Sequence, residues 1–114
     1  MIIGYVRVST KEQEDGASPE RQEDMIRAHC AMHGLEPTII TDLGKSGFKL
    51  QRPGYQRLLK LCAEGKVKCV IVYDLSRLSR RVRDTLEFFD TVVGKHGVDF
   101  VSLTQKIDTS SPIG

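Results

Sequence analysis

Two short segments of the sequence carry the residues for a site of phosphate chemistry. Ser9 follows a strand-like apolar run, and Arg7 stands two residues before it. Arg77 and Arg80 belong to a second polar segment, which follows the most continuous apolar run of the chain. Guanidinium groups match the oxygens of a phosphate and stay charged, so this set predicts a phosphate site. The arginines would also favour ionisation of the Ser9 hydroxyl and stabilise a developing oxyanion.

The residue types alone leave plainer interpretations open. Arginines that follow a strand are common on solvated surfaces and at helix ends, and a serine at such a place is a common turn residue. The phosphate site therefore depends on a fold that brings the two segments together.

Strands and helices alternate along the chain. We predict strands over residues 2–8, 38–41, 67–73 and 98–103, helices over residues 18–34, 53–65 and 83–95, and a long mobile loop over residues 42–53. Strands joined by helices imply right-handed crossovers and a mostly parallel sheet. The predicted class is α/β, with three α/β/α layers and a central sheet of four to five strands. Ligands of such sheets bind beyond the carboxyl ends of the strands, where Ser9 would face Arg77 and Arg80.

Local signals define the ends and faces of the helices. Ser18, Pro19 and Glu20 predict a helix start, with a hydroxyl cap, a proline at the first position and an acid in the first turn. The apolar residues expected to face the core are Met25, Ile26, Cys30 and Ala31 in the first helix and Leu86, Phe89 and Val93 in the third. Residues 108–112 signal another helix start, which indicates a piece of a longer protein or else a frayed polar tail.

Composition is ordinary for a single globular domain over residues 1–114. The chain has 39% hydrophobic residues and a formal net charge of +2, which neither requires nor excludes a nucleic-acid partner. No apolar run reaches membrane-spanning length and no leader-like segment precedes the first strand, so we expect a cytoplasmic protein without membrane association.

The cysteines and histidines do not form an obvious reactive set. Cys30, Cys62 and Cys69 fit no zinc or disulfide spacing and are predicted to be reduced core residues. His33 and His96 each precede a glycine at a predicted helix end, where imidazolium is favoured by the helix dipole, which predicts structural roles. His29 is expected at an exposed helix position.

Two motifs resemble the serine recombinases, the family of resolvases, invertases and large integrases. The run GYVRVST at residues 4–10 is similar to the family's N-terminal signature, and LSRLSR at residues 75–80 is similar to its second active-site motif. The similarity covers essentially the whole chain and is strongest to the large integrase and transposase branch. Two motifs in register make the resemblance specific, whereas either alone would be weak.

The resemblance implies a role for each matching residue. Ser9 would attack DNA and form a 5′-phosphoserine bond, which conserves the energy of the broken ester so that no ATP, metal or small-molecule cofactor is needed. The residues implied to hold the phosphate or organise the site are Arg7, Arg77, Arg80, Arg52, Gln13 and Gln22. Ser76 and Arg81 are further expected contacts to phosphate or DNA, and the full-length protein would act as a dimer that pairs into a tetramer.

This chain also departs from the family pattern. Resolvases carry aspartate at the position of Ser76, and Asp74 is either a substitute acid or a residue that caps or braces the turn. The family's long dimerisation helix should begin near Pro112, and the DNA-binding domains should follow it. Two alternatives to a recombinase are therefore kept: a non-catalytic phosphate- or nucleic-acid-binding module, and a regulatory or assembly domain that has lost its chemistry.

Overall fold

Five strands and three helices alternate in the part of the chain that the structure, a computed structural model, describes: residues 1–9, 18–44, 53–78, 81–105 and 107–109. In chain order the elements are β1 (Ile2–Ser9), α1 (Pro19–Met32), β2 (Pro37–Gly44), α2 (Pro53–Ala63), β3 (Cys69–Val72), α3 (Val82–Phe88), β4 (Asp99–Ser102) and β5 (Ile107–Asp108). A three-residue 3-10 turn (Leu75–Arg77) follows β3, and a π-helical segment (Phe89–Lys95) continues α3.

The strands form one sheet in the order β2-β1-β3-β4-β5. The first four strands are parallel to one another, and β5 pairs with β4 in the antiparallel direction. Strand β1 lies between β2 and β3, so that Tyr5 stands opposite both Ile40 and Val72. The predicted mostly parallel sheet of four to five strands is confirmed, and the first and third strands along the chain are neighbours.

Apolar residues on both faces of the sheet produce three layers. On one face, Ile3 and Tyr5 of β1 pack in a cluster with Leu58 of α2 and Phe88 of α3. On the other face, Val6 packs with residues of α1. Because successive strand residues point to opposite faces, the continuous apolar run in β1 covers both sides of the sheet. The predicted α/β/α arrangement is therefore confirmed.

Helix α1 begins where the sequence predicts but buries a different stripe. Ser18 caps the helix, because its hydroxyl accepts a hydrogen bond from the Arg21 backbone N–H at 3.1 Å. The buried residues are Gln22, Ile26 and Cys30, at the i, i+4 and i+8 positions of one face. The prediction that Met25 and Ala31 also face the core is wrong, since both side chains are exposed. A glutamine occupies the first core-facing position instead.

Strand β2 is longer than predicted. Residues 42–44 were expected in a loop, yet they continue the strand, and Asp42 pairs with Arg7 of β1. An aspartate is tolerated in this buried position because its carboxylate accepts several hydrogen bonds, which are described with the site below. The remainder of the predicted mobile loop, residues 45–52, lies outside the described residues.

The third helix changes its winding, and its core-facing residues differ from those predicted. Beyond Phe88 the chain turns as a π-helix, where the His96 N–H donates to the carbonyl of Thr91 at 3.0 Å. Phe88 and Val92 are buried, whereas Leu86 is 58% exposed, so its predicted inward orientation is wrong. Phe89 and Val93, also predicted to face inward, are half-buried against the core. Leu86 precedes the π-helical segment, so its exposure reflects an α-helical face that buries Phe88 and not the wider π turn.

The thiols are core groups, as predicted. All three cysteines are free; Cys30 and Cys62 are buried, and Cys69 is half-buried. Burial raises the pKa of the Cys62 thiol to about 11 and is the main cause that raises the pKa of Cys69 to about 12. Both groups are therefore neutral at physiological pH and are weak nucleophiles.

The three histidines belong to α1 and the π-helical segment or stand at their ends. His33 ends α1 and His96 ends the π-helical segment, as the glycines after them predict. His29 is half-buried rather than exposed, and its burial lowers its pKa. In the described ranges, no helix has the length and apolar character needed to cross a membrane.

We expect the substitution Gly4→Ala to destabilise the fold, since an added Cβ at this position in β1 would lie 2.6 Å from Cγ2 of Ile26 in α1. Overpacking of this kind costs about 1–3 kcal/mol. The matched control is Gly94→Ala in the π-helical segment, where the nearest atom to the new Cβ would be 3.6 Å away. We expect that variant to be neutral or more stable by roughly 0.5–1 kcal/mol. Urea unfolding of both variants checks the pair, and equal stabilities would contradict the packing described for Gly4.

Candidate active site

The two arginine-bearing segments meet at the carboxyl edge of the sheet. Because β1 and β3 are adjacent and parallel, the end of β1 lies beside the 3-10 turn that follows β3. The Arg7 side chain donates from Nε to the carbonyl of Arg77 at 3.1 Å and from Nη2 to the carbonyl of Ser76 at 2.5 Å. In return, Nη1 of Arg77 donates to the carbonyl of Arg7 at 3.0 Å. The two arginines therefore join the strand and the turn by side chain-to-backbone bonds in both directions.

Both arginines are almost fully shielded from solvent. Arg7 is 9% exposed and Arg77 is 3% exposed. The aromatic ring of Tyr73 covers part of Arg77, with its centroid 5.9 Å from the guanidinium carbon. A buried charge of this kind is stable only when hydrogen bonds and an opposite charge compensate for the lost hydration.

Asp74 supplies the opposite charge. Its Oδ1 lies 3.3 Å from Nε of Arg77, and its Oδ2 accepts a hydrogen bond from Nη2 of the same side chain at 3.4 Å. The hydroxyl of Ser76 donates to Oδ1 of Asp74 at 2.5 Å. Ser76, where resolvases are expected to carry an aspartate, is therefore bound to an acid two residues earlier. The Asp74 side chain caps no backbone N–H of the turn, so the capping role is not supported, and its contacts with Ser76 and Arg77 brace the turn.

Gln22 reaches the same place from α1. Its side chain is fully buried, and Nε2 donates to the carbonyl of Arg7 at 3.4 Å. The carbonyl of Arg7 thus accepts hydrogen bonds from both Arg77, in the turn after β3, and Gln22, in α1. The resemblance alone pointed to Gln22; its helical position among apolar residues gave no sign of this role.

The remaining predicted site residues are placed in part or lie outside the described residues. The backbone of Ser9 ends β1, where it pairs with Gly44, two residues beyond Arg7. Arg81 is exposed at the residue before α3. Gln13, Arg52 and Arg80 fall outside the described ranges. The described set that the fold brings together is therefore Arg7, Gln22, Asp74, Ser76 and Arg77.

Sequence reasoning missed Asp42, which holds together three elements near this edge. Its carboxylate accepts from the Tyr5 hydroxyl at 2.6 Å, from the Gly54 N–H at 2.8 Å and from the Tyr55 N–H at 2.9 Å. The last two donors belong to the first turn of α2, whose N–H groups have no partner within the helix. Asp42 therefore caps α2 at long range and fixes the start of the helix at Pro53. The available signal in the sequence is an acid immediately after a predicted strand.

The chemistry of the described side chains at this edge favours one kind of ligand. Over the ranges that the structure describes, no three His, Cys, Asp or Glu side chains are arranged to hold a metal ion. The groups assembled at the strand ends are instead guanidinium, amide, hydroxyl and one paired carboxylate, and the cationic members suit an anion such as phosphate.

The family of this chain follows from its match to a family model. The family model described as the N-terminal domain of resolvase matches residues 2–114. The chain belongs to this resolvase family. The sheet edge where Arg7 meets Ser76 and Arg77 is therefore a feature of a resolvase-family domain.

Relatives in sequence are phage and bacterial proteins. A DNA-invertase of Escherichia phage P1 is 35% identical over 114 residues, which cover 100% of this chain and 54% of the relative. The serine recombinase Gin of Escherichia phage Mu is 36% identical, with 100% of this chain and 52% of the relative covered. The chain thus spans about half the length of these relatives.

Solved structures give the same assignment. The N-terminal catalytic domain of TP901-1 integrase superimposes with a TM-score of 0.85 at 40% identity, covering 99% of this chain and 84% of that one. A resolvase family site-specific recombinase from Streptococcus pneumoniae gives a TM-score of 0.80 at 31% identity, covering 96% and 76%. The resolvase-like fold class is therefore confirmed by both sequence and structure.

We expect Asp42→Asn to lower the free energy of unfolding of this resolvase-family domain by about 1–3 kcal/mol, because an amide cannot serve three donors as a carboxylate does. Tyr5→Phe removes only one of the three donors and should cost about 1 kcal/mol. The effects should be non-additive in the double variant, since both remove the same hydrogen bond. Urea unfolding measures all three. The surface control Asp24→Asn should change stability by less than about 0.5 kcal/mol, and a similar loss in that control would contradict the role given to Asp42.

Proposed function

We propose that this chain is the catalytic domain of a serine site-specific recombinase and that Ser9 is its nucleophile. The observation that carries the proposal is the mutual bonding of Arg7 and Arg77, which assembles two buried guanidinium groups at the end of the strand that terminates in Ser9. Membership of the resolvase family and relatives named DNA-invertase and serine recombinase support it.

The proposed reaction is a reversible transfer of a phosphodiester. The Ser9 oxygen forms a bond to phosphorus while the bond from phosphorus to the 3′ oxygen of DNA breaks. The hydroxyl proton leaves Ser9, and the departing 3′ oxygen takes up a proton, so the step is balanced without a co-reactant. Attack of a 3′ hydroxyl from the recombined strand reverses the step and releases Ser9. One ester replaces another, which is why no external energy source enters the proposal.

The arginines are proposed to stabilise the charge that develops during this step. The phosphorus centre is more negative in the transition state than in the diester, so fixed cationic donors lower the barrier. Arg7 and Arg77 are held by protein acceptors before substrate binds, and this preorganisation avoids a reorganisation cost during reaction. Arg80, Arg52 and Gln13 are assigned to the same site by the family pattern, with Gln22, Ser76 and Arg81 as supporting contacts.

The partners proposed for the protein follow from its relatives. DNA is the substrate, and the full-length protein is expected to form a dimer that pairs into a tetramer around two DNA sites. We propose that this chain is one portion of that protein, since it spans about half the length of its relatives. A bacterial cytoplasm, where phage and mobile-element DNA resides, is the proposed location, with no small-molecule cofactor.

The decisive test uses the full-length protein and a supercoiled plasmid that carries two copies of its recombination site. We expect wild-type protein to give a protein–DNA adduct that survives denaturation and contains a phosphoserine bond. Ser9→Ala should give no adduct because the attacking oxygen is absent, while DNA affinity measured by filter binding should remain close to wild type. The control Thr38→Ala removes an exposed hydroxyl near the amino end of β2 and should retain the adduct.

The alternatives make different predictions in this experiment. A non-catalytic phosphate-binding module would form no adduct, and Ser9→Ala would leave its phosphate affinity nearly unchanged. A domain that has lost its chemistry would assemble on DNA yet form no adduct in competent complexes. Either result with wild-type protein would overturn the proposed activity.

The isolated 114-residue chain should bind DNA weakly and should not recombine it, since its net charge is only +2. We expect dissociation constants in the non-specific range of about 10⁻⁴–10⁻⁶ M, and weaker binding as salt increases. Fluorescence anisotropy with a labelled duplex at low and moderate salt measures both quantities. Tight binding to one DNA sequence, or efficient cleavage by this chain alone, would contradict the expectation.

A further inference from the structure

The carboxylate of Asp74 contacts two groups of the candidate active site at the same time. It faces the guanidinium of Arg77 through both of its oxygens, at 3.3 and 3.4 Å, and it accepts the hydrogen bond of the Ser76 hydroxyl. The side chain of Asp74 is 20% exposed, whereas that of Arg77 is only 4% exposed. The acid therefore lies at the solvent boundary, and the arginine lies beneath it.

The structure does not support a capping role as the reason for this acid. Asp74 stands at the N-cap position of the 3-10 turn, yet its carboxylate forms no hydrogen bond with a backbone N–H there. The backbone bond that closes the turn, from the Arg77 N–H to the Asp74 carbonyl at 3.1 Å, does not involve the side chain. What the carboxylate contacts is the side-chain pair of Ser76 and Arg77.

The geometry fixes the plane of the Arg77 guanidinium. Nε and Nη2 face the two oxygens of Asp74, and Nη1 donates to the carbonyl of Arg7. A guanidinium is planar, so contacts along two of its edges determine its orientation. Without Asp74 one edge would lose its acceptor, and the buried charge of Arg77 would lose the opposite charge that offsets its desolvation.

We propose that Asp74 is a positioning residue for the phosphate step: it holds the Arg77 guanidinium and the Ser76 hydroxyl in the arrangement that the reaction at Ser9 requires. This inference rests on the proposed recombinase function. Asp74 acts through Arg77 and does not itself contact DNA, so its removal reduces the rate of the chemical step rather than the affinity for DNA.

The test is Asp74→Asn in the full-length protein, which keeps the size of the side chain but removes its charge and turns one oxygen into a donor. With the plasmid substrate described above, at saturating protein, the rate of adduct formation should fall roughly 10- to 100-fold, the size expected for a displaced catalytic group. DNA affinity, measured by filter binding, should change less than about 3-fold, since it depends mainly on backbone phosphate contacts.

Three further variants separate positioning from general stability. Asp90→Asn makes the same chemical change at an exposed helix residue and should leave the adduct rate unchanged. Asp74→Glu keeps the charge on a longer side chain, and its rate of adduct formation should lie between those of the wild type and Asp74→Asn. In an Arg77→Lys background, which lacks the planar fork, Asp74→Asn should cause a much smaller further loss, because both changes affect one interaction. The Tm of each variant shows whether it is folded.

The outcomes distinguish this inference from the proposed function. If wild-type protein forms the adduct and Asp74→Asn forms it at the same rate, the positioning role is overturned while the proposed function stands. A loss confined to DNA affinity, or equal losses in the wild-type and Arg77→Lys backgrounds, also overturns it. If Asp74→Asn does not fold, an unchanged rate of adduct formation in Asp74→Glu also overturns the positioning role. Absence of the adduct with wild-type protein overturns the proposed function and, with it, this inference.

Discussion

The structure of the candidate site depends on the reciprocal hydrogen bonding between β1 and the turn after β3. Arg7 donates to carbonyls of the turn, and Arg77 donates back to the carbonyl of Arg7. Two strands far apart in sequence are thereby fixed at their carboxyl ends. The parallel β1–β3 pairing makes this possible, since it brings both chain segments to one edge of the sheet.

The lost hydration of the buried Arg7 and Arg77 side chains must be compensated, and two aspartates accept hydrogen bonds from the groups around them. Asp74 pairs with Arg77 directly, whereas Asp42 binds Tyr5 and the first turn of α2. Each carboxylate accepts hydrogen bonds from at least two chemically different donors. Buried polar groups that are fully engaged in this way rigidify their surroundings, and a half-engaged group would destabilise them. The same contacts that stabilise the edge therefore also determine its geometry.

The fold and the location of the site were predictable because they depend on patterns that are local in sequence. Apolar runs separated by helix signals predict the parallel sheet, and the carboxyl-end rule then brings Arg77 close to the end of β1. The role of Asp42 was not predictable, since its partners lie in β1 and in α2. The exposure of Leu86 was not evident from the apolar spacing, since the α-helical part of α3 buries Phe88 instead. Gln22 occupies an apolar helix stripe, so only the family resemblance indicated it.

The charge balance at the edge explains why an acid is compatible with a phosphate site. Among the described side chains that meet there, two guanidinium groups and one carboxylate leave one net positive charge, enough to match one phosphodiester. A negative group close to the substrate weakens anion binding in general, so its presence needs a compensating benefit. Asp74 gives that benefit by fixing a buried arginine that would otherwise be costly to desolvate. Under the proposed function, further positive charge for a more negative transition state would come from other arginines, the role proposed for Arg52 and Arg80.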